Sequence, residues 1–196
     1  MSQATKTTGM GHLTLICFGS NEISILGDPR ETVQKAMSQV AAMSEDAPIS
    51  SPLYRTPAFP AGAGPDFVNA AMAIRTTLSP DAVLAELHEI ETRAGRVRAA
   101  RWGQRTLDLD LIAMGDLICP DVATQTHWRD LPPAAQASTA PDQLILPHPR
   151  VQDRSFVLVP LADVAPDWVH PVLQITIRDM LAARPAEDRA TVVPLA

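Results

Sequence analysis

Two aspartates, Asp108 and Asp110, alternate with leucines in the segment Arg105-Thr106-Leu107-Asp108-Leu109-Asp110-Leu111. Successive side chains of a strand point to opposite faces, so both carboxylates share one face, with about 7 Å between them along the strand. Hard divalent cations take oxygen donors of this kind, and a Mg2+ held by one or two carboxylates completes its shell from phosphate and water. Any half-exposed strand also alternates apolar and charged residues, so the pair alone leaves both readings open. Its neighbours favour the first. Arg93, Arg96, Arg98, Arg101 and Arg105 precede it with no acid between Thr92 and Leu107. Lysine would serve a merely solubilising loop equally well, whereas guanidinium forks grip phosphate oxygens bidentately. Arginines beside a metal-type acid pair suit phosphoryl transfer, where positioning and charge neutralisation supply most of the catalysis.

Trp102 sits inside the arginine run, where a large apolar ring is costly unless it covers something. Phe67 stands two residues before Asn69, and Phe156 two after Arg154. Aromatic faces near an amide suit a flat heteroaromatic ligand, although Phe67 alone reads better as core. His148, in Leu146-Pro147-His148-Pro149-Arg150, reads either as a phosphate contact or as a loop histidine.

The elements that must carry these groups follow from periodicity and punctuation. Leu13–Phe18 is an apolar run ending at Gly19-Ser20-Asn21, a buried strand entering a loop. Asp28-Pro29-Arg30-Glu31 has the features of a capped helix start, and the spacing of Val33, Ala36, Met37 and Val40 predicts a helix from Pro29 to about Met43. A short strand near Ser51–Thr56 leads into a stiff Pro/Gly loop that ends at Pro65, and Phe67–Thr76 is a further strand. Ser79-Pro80-Asp81 caps a second helix, with Val83, Leu84, Leu87, Ile90 and Ala94 on one face and Gly95 as its stop. Leu107–Met114 is the strand of the acid pair. Residues 120–142, rich in Pro, Ala, Ser, Thr and Gln, read as an exposed insertion. Leu144–Leu146 suits a short strand, and Phe156–Leu161 and Ile175–Ala183 suit helices. The order β, α, β, β, α, β predicts an α+β fold, a ferredoxin-like βαββαβ core with additional C-terminal helices. It is expected to form a single domain over 1–196, with a flexible tail at 1–11.

Composition limits the function classes. A formal charge of −6 argues against non-specific binding to nucleic acid or an anionic membrane. Only Lys6 and Lys35 among the 16 basic residues are lysine, an arginine bias that fits oxyanion recognition. Neither GxGxxG nor GxxxxGK[ST] occurs. Cys17 and Cys119 lack metal or redox spacing and read as buried thiols. The Leu13–Phe18 run is too short for a signal-peptide core or a membrane span, so a cytoplasmic location is expected.

Taken together, the motifs resemble the 6-hydroxymethyl-7,8-dihydropterin pyrophosphokinases of the folate pathway. The resemblance rests on Phe18-Gly19-Ser20-Asn21, Ser51-Pro52-Leu53-Tyr54-Arg55-Thr56-Pro57, Asp66-Phe67-Val68-Asn69, Gly95-Arg96-Val97-Arg98, Arg101-Trp102-Gly103-Gln104-Arg105 with the following Asp108 and Asp110, Pro147-His148-Pro149-Arg150 and Arg154-Ser155-Phe156. It implies Mg-dependent transfer of pyrophosphate from ATP to the pterin alcohol, leaving AMP. Two Mg2+ would bridge Asp108 and Asp110 to the phosphates. Arg96 and Arg105 would be catalytic, on a loop that closes over ATP. Glu91, Arg98, Arg101, Trp102, His148 and Arg154 would line the ATP site. Thr56, Pro57, Phe59, Phe67, Asn69, Asp108 and Phe156 would surround the pterin. The partners implied are ATP and the pterin alone, with no nucleic acid or membrane, and a monomer. Against the family pattern, the loop after Asn21 is longer, the arginine loop is one residue shorter, Gln143 replaces a common arginine and 120–142 is an addition. A catalytically silent pterin- or nucleotide-binding homologue is the alternative, and an unrelated Mg-dependent phosphotransferase would release ADP instead of AMP.

Overall fold

A computed structural model describes residues 11–58, 64–96, 106–132, 135 and 139–195. The strands are β1 (His12–Ser20), β2 (Ile49–Ser50), β3 (Tyr54–Thr56), β4 (Phe67–Thr76), β5 (Asp108–Met114) and β6 (Val193–Pro194). The helices are α1 (Pro29–Ala41), α2 (Pro80–Arg93), α3 (Val122–Arg129), α4 (Ser155–Val164), α5 (Ile177–Ala182) and α6 (Ala186–Ala190). A 3-10 turn, Val151–Asp153, leads into α4. One antiparallel sheet runs in the order β5-β1-β4-β3-β6, with β2 also paired to β4.

Helix starts follow the sequence signals. Asp28 accepts the Glu31 N–H at 2.9 Å while the Glu31 carboxylate accepts the Asp28 N–H, so two orphan donors of α1 are satisfied reciprocally, and Pro29 supplies a preset φ. Ser79 Oγ accepts the Ala82 N–H at the start of α2.

Both sheet faces are covered. Ile16, Phe18, Ala70, Met72, Ile74, Leu109 and Leu111 face α1 and α2, packing on Val33, Ala36, Val40, Val83, Leu87 and Ile90. Leu15, Cys17, Ala71, Ala73 and Ile112 face the other way, onto Val157, Leu158 and Leu161 of α4 and Ile177 and Met180 of α5. Strand β5 carries a bulge: Leu15 opposes Ala113 and Ile16 opposes Leu111, which leaves Ile112 as the extra residue. The bulge puts Ile112 and Ala113 on the same face and ends the strict alternation of Leu107–Leu111. Tyr54 ties α4 to the sheet through a 2.6 Å bond from its hydroxyl to Asp163, and burial together with that carboxylate pushes its pKa up to about 12.

The structure corrects two expectations. The 120–142 segment is not merely an exposed excursion, because α3 forms within it on an Asp121 cap and buries Gln125 completely. Leu144–Leu146 is no extended strand; Leu146 makes an isolated two-bond bridge with Cys119. Strand β6 has little signal in the sequence, since it is two residues long, includes a proline and sits at the sheet edge. Residues 1–10 of the expected tail lie outside the described residues, whereas Gly11 is buried and its carbonyl accepts from Arg75.

The C-terminal corner predicts a pH response. His170 is fully buried; its Nδ1 accepts the Val172 and Leu173 N–H groups, and burial, then Arg129, lowers its pKa to about 4. In the unfolded chain the ring protonates near 6.5, so its stabilising effect is complete above that pH and is lost as pH falls toward 4. His170→Asn keeps an acceptor for both amides but does not titrate. Urea unfolding should show a loss of stability between pH 7 and pH 5 that is smaller in the variant than in the parent by about 2 kcal/mol. Equal losses in both proteins would rule out this role for His170.

Candidate active site

The site begins where α2 ends. Gly95 adopts φ 78°, and the Gly95 and Arg96 amides return to the Thr92 and Glu91 carbonyls at 2.9 and 3.1 Å. This glycine-dependent helix stop reverses the chain. It directs Arg96 back onto the Glu91 carboxylate and onto Asp108, whose Oδ1 lies 2.7 Å from Arg96 Nη1. Glu91 sits on the inner face of α2, 2 % exposed, and its Oε1 also accepts the Leu109 N–H at 2.8 Å. β5 is an edge strand, so this carboxylate satisfies an amide that no neighbouring strand reaches. Ser20 Oγ donates to the Thr106 carbonyl at 2.6 Å and fixes the entry to β5.

Asp108 and Asp110 share a face of β5 opposite Gly19 and Cys17 of β1, as the alternation predicts. Arg154, at the N-terminus of α4, approaches Asp110 at 3.9 Å and lies over the Phe156 ring, 5.7 Å from its centroid. Guanidinium groups therefore flank the acid pair on both sides, and the aspartates keep partial access to solvent. Among the described residues no three His, Cys, Asp or Glu side chains gather. The donor set fits Mg2+, which binds through one or two carboxylates and the substrate's phosphates rather than in an all-protein cage.

Glu91, Arg96, Asp108, Asp110, His148 and Arg154 line a single cleft of about 590 Å³. His148 is anchored by its N–H to the Ile112 carbonyl at 2.8 Å, and its Nδ1 accepts the Arg150 N–H at 3.1 Å. Enclosure, then Arg154 and Arg150, lower its pKa to about 3, so at neutral pH the ring is uncharged and its remaining proton lies on Nε2. His148 thus brings a hydrogen-bond donor to the cleft, and not a charge.

A second surface adjoins Asp108. Gly19 pairs with Asp108 on one side and Asn69 on the other. A Cβ at Gly19 would lie 3.2 Å from Asn69 Oδ1 and 4.0 Å from both Phe67 Cδ1 and Asp108 Cβ, so glycine leaves a flat floor there. Asn69 Nδ2 donates to Thr56 Oγ1 at 2.7 Å, and this buried bond turns the amide oxygen toward that floor. Pro57 follows Thr56 at the sheet edge and is exposed, and Phe156 is 41 % exposed on α4. Phe59, Arg98, Arg101, Trp102 and Arg105 lie outside the described residues.

Leu84, His88, Trp128 and Arg150 also line the cleft, although the sequence reading gives none of them a role in the site. Leu84 and His88 precede Glu91 by seven and three positions, so helical spacing alone would have aligned all three. Trp128 had no such signal, because its helix was not expected.

An acid pair between guanidinium groups, on an antiparallel sheet with helices on both faces, defines an α+β enzyme with a cleft suited to phosphate groups. The chain belongs to the 7,8-dihydro-6-hydroxymethylpterin-pyrophosphokinase family, whose model matches residues 15–166. Two curated relatives are named 2-amino-4-hydroxy-6-hydroxymethyldihydropteridine pyrophosphokinase. The one from Pseudomonas aeruginosa is 37% identical over 173 residues, covering 88% of this chain and 91% of its own. That from Synechocystis sp. is 37% identical over 161 residues, covering 82% of this chain and 70% of its own. Among solved structures, wild-type Plasmodium falciparum HPPK-DHPS superposes with a TM-score of 0.60 at 14% identity over 90% of this chain, a likeness of fold. This chain spans 45% of the length of that protein.

Proposed function

We propose that the chain transfers the β,γ-pyrophosphoryl group of ATP to the hydroxymethyl oxygen of 6-hydroxymethyl-7,8-dihydropterin. It is an ATP-dependent diphosphokinase of folate biosynthesis, and the products are the pterin diphosphate and AMP. The observation that carries the mechanism is the Asp108–Asp110 pair, set between Arg96 and Arg154 in one cleft and opening beside the Gly19–Asn69–Phe67 floor. Two Mg2+ held by Asp108 and Asp110 would orient the acceptor oxygen and neutralise charge along the triphosphate.

The chain's own residues do the rest. Arg96 and Arg154 would grip phosphate oxygens while Asp108 and Asp110 hold the cation, so that acids and guanidinium groups each face an opposite charge in the complex. The Nε2–H of neutral His148 donates a hydrogen bond to a phosphate oxygen. Glu91 acts on ATP through Arg96, which it positions. The pterin lies on the floor beside Asp108, stacked between Phe67 and Phe156, with Asn69 and the backbone from Thr56 through Pro57 to Phe59 reading its edge. Arg98, Arg101, Trp102 and Arg105 enter on the resemblance alone: Arg105 joins Arg96 as a catalytic arginine on a closing loop, and Trp102 covers the bound ligands and excludes water.

The strand order β5-β1-β4-β3, with α1 and α2 on one face, supports a ferredoxin-like core, carrying α4 to α6 as C-terminal additions to a single domain over 1–196. A cytoplasmic monomer with no nucleic-acid or membrane partner fits the charge of −6. No helix among the described residues is long and apolar enough to cross a membrane.

Phosphorus NMR of protein, Mg2+, ATP and the pterin alcohol tests the reaction. AMP and a pterin diphosphate should appear in equal amounts. ADP would mean transfer of the γ-phosphoryl group, and no nucleotide product at all would mean a silent binder; either outcome would overturn the assignment.

A further inference from the structure

The cleft combines two kinds of lining group. Arg96, Asp108, Asp110 and Arg154 line it together with the apolar Leu84, Leu144 and Ile145 and the rings of His88 and Trp128, and along α2 Leu84 stands seven residues, about 10 Å, before Glu91, the partner of Arg96. A nucleotide whose triphosphate lies on the charged groups must put its base among the apolar ones, where a flat ring loses least by leaving water.

Helix α3 is held firmly at the cleft. Cys119 and Leu146 exchange two backbone bonds, of 2.9 and 3.1 Å, just before the helix begins. Gln125, with no exposed surface, donates Nε2 to the Pro147 carbonyl at 3.3 Å, one residue before His148. The 120–142 segment is therefore fastened to the same stretch, 144–148, that walls the cleft. Trp128, one turn beyond Gln125, is only partly buried and meets the neighbouring His127 ring in a T-shaped contact, with ring centroids 5.9 Å apart. An indole fixed in a cleft wall and still partly open presents a stacking surface whose ordering cost is met before any ligand arrives.

We propose that Trp128 forms a stacking wall for the purine base of ATP, so that the inserted helix α3 is part of this chain's nucleotide site. This builds on the pyrophosphokinase reading above. Stacking of a base on an aromatic side chain is commonly worth about tenfold or more in affinity by alanine substitution.

Calorimetry separates the base from the phosphates by comparing a non-hydrolysable ATP analogue with inorganic tripolyphosphate, each with Mg2+. Trp128→Ala should weaken the analogue about tenfold or more and leave tripolyphosphate unchanged, while Trp128→Phe should hold the analogue within about threefold of the parent. Unchanged affinity for the analogue in Trp128→Ala would overturn the proposal. Equal weakening of both ligands would overturn it too, because the indole would then serve only the integrity of the cleft. A parent protein that binds the analogue but forms no AMP would instead defeat the pyrophosphokinase reading, and the Trp128 comparison would keep its meaning.

Discussion

Asp110→Ala should reduce AMP formation by on the order of a thousandfold or more, while its melting temperature stays within a few degrees of the parent's. The two halves of this expectation have different origins. Charge stabilisation by a correctly held cation supplies several kcal/mol of transition-state energy, and each 1.36 kcal/mol is tenfold in rate. Stability, by contrast, owes little to this side chain. Asp110 keeps 35% of its side-chain surface exposed, and Arg154 stands 3.9 Å away, at the limit of an ion pair. Its negative charge also faces that of Asp108 on the same strand face, so removing it relieves a repulsion. Asp110→Asn is the stricter form of the test, because it keeps volume and one oxygen while removing the charge. Near-normal turnover in either variant would remove the metal assignment. A large fall in melting temperature would mean that the acid is held for folding.

The legibility of this site in the sequence varied with how local the signals were. The acid pair was readable because a strand's period of two places i and i+2 on one face whatever else the chain does, and Asp108 and Asp110 do share a face. Helices α1 and α2 were readable because Asp28, Glu31 and Ser79 satisfy backbone amides within four residues, and Pro29 presets φ at the first turn of α1. The union of Glu91 with Arg96 and Leu109 was not readable, since it depends on the reversal at Gly95 and on which edge of β5 faces α2. Nor was the β5 bulge. Ile112 and Ala113 continue an apolar run, and only the pairing with β1 reveals that one residue is extra.

Helix α3 was hidden for a different reason. The segment Val122-Ala123-Thr124-Gln125-Thr126-His127-Trp128-Arg129 has almost no apolar periodicity, and its one fully buried position is a glutamine. A polar side chain buried through a specific bond to a distant carbonyl gives no sequence signal, because the hydrogen bond and not the hydrophobicity justifies its burial. The residues that carry chemistry in a charged loop stand out by type, whereas those that wall a cleft do so by position.

Glu91 separates these two kinds of residue most sharply, and its removal should register in both stability and rate. The carboxylate is nearly inaccessible, accepts the Leu109 N–H and pairs with Arg96. Glu91→Ala leaves a buried amide without its acceptor and a guanidinium without its closest acid. Breaking a buried pair costs about 3 kcal/mol or more, and the lower figure applies because Arg96 is partly exposed and retains Asp108. In a domain of this size that corresponds to a fall in melting temperature of about 10 °C. Glu91→Gln keeps an oxygen for Leu109 but not the charge, so it should lose about 1 kcal/mol while Arg96 remains under-restrained. Both variants should lower kcat, and only the alanine variant should lower stability steeply. That split distinguishes a positioning carboxylate from a purely structural one, for which rate would track stability across the two substitutions. If Glu91→Ala melted within about two degrees of the parent, the buried pair would not be what holds Arg96 and the start of β5 in register.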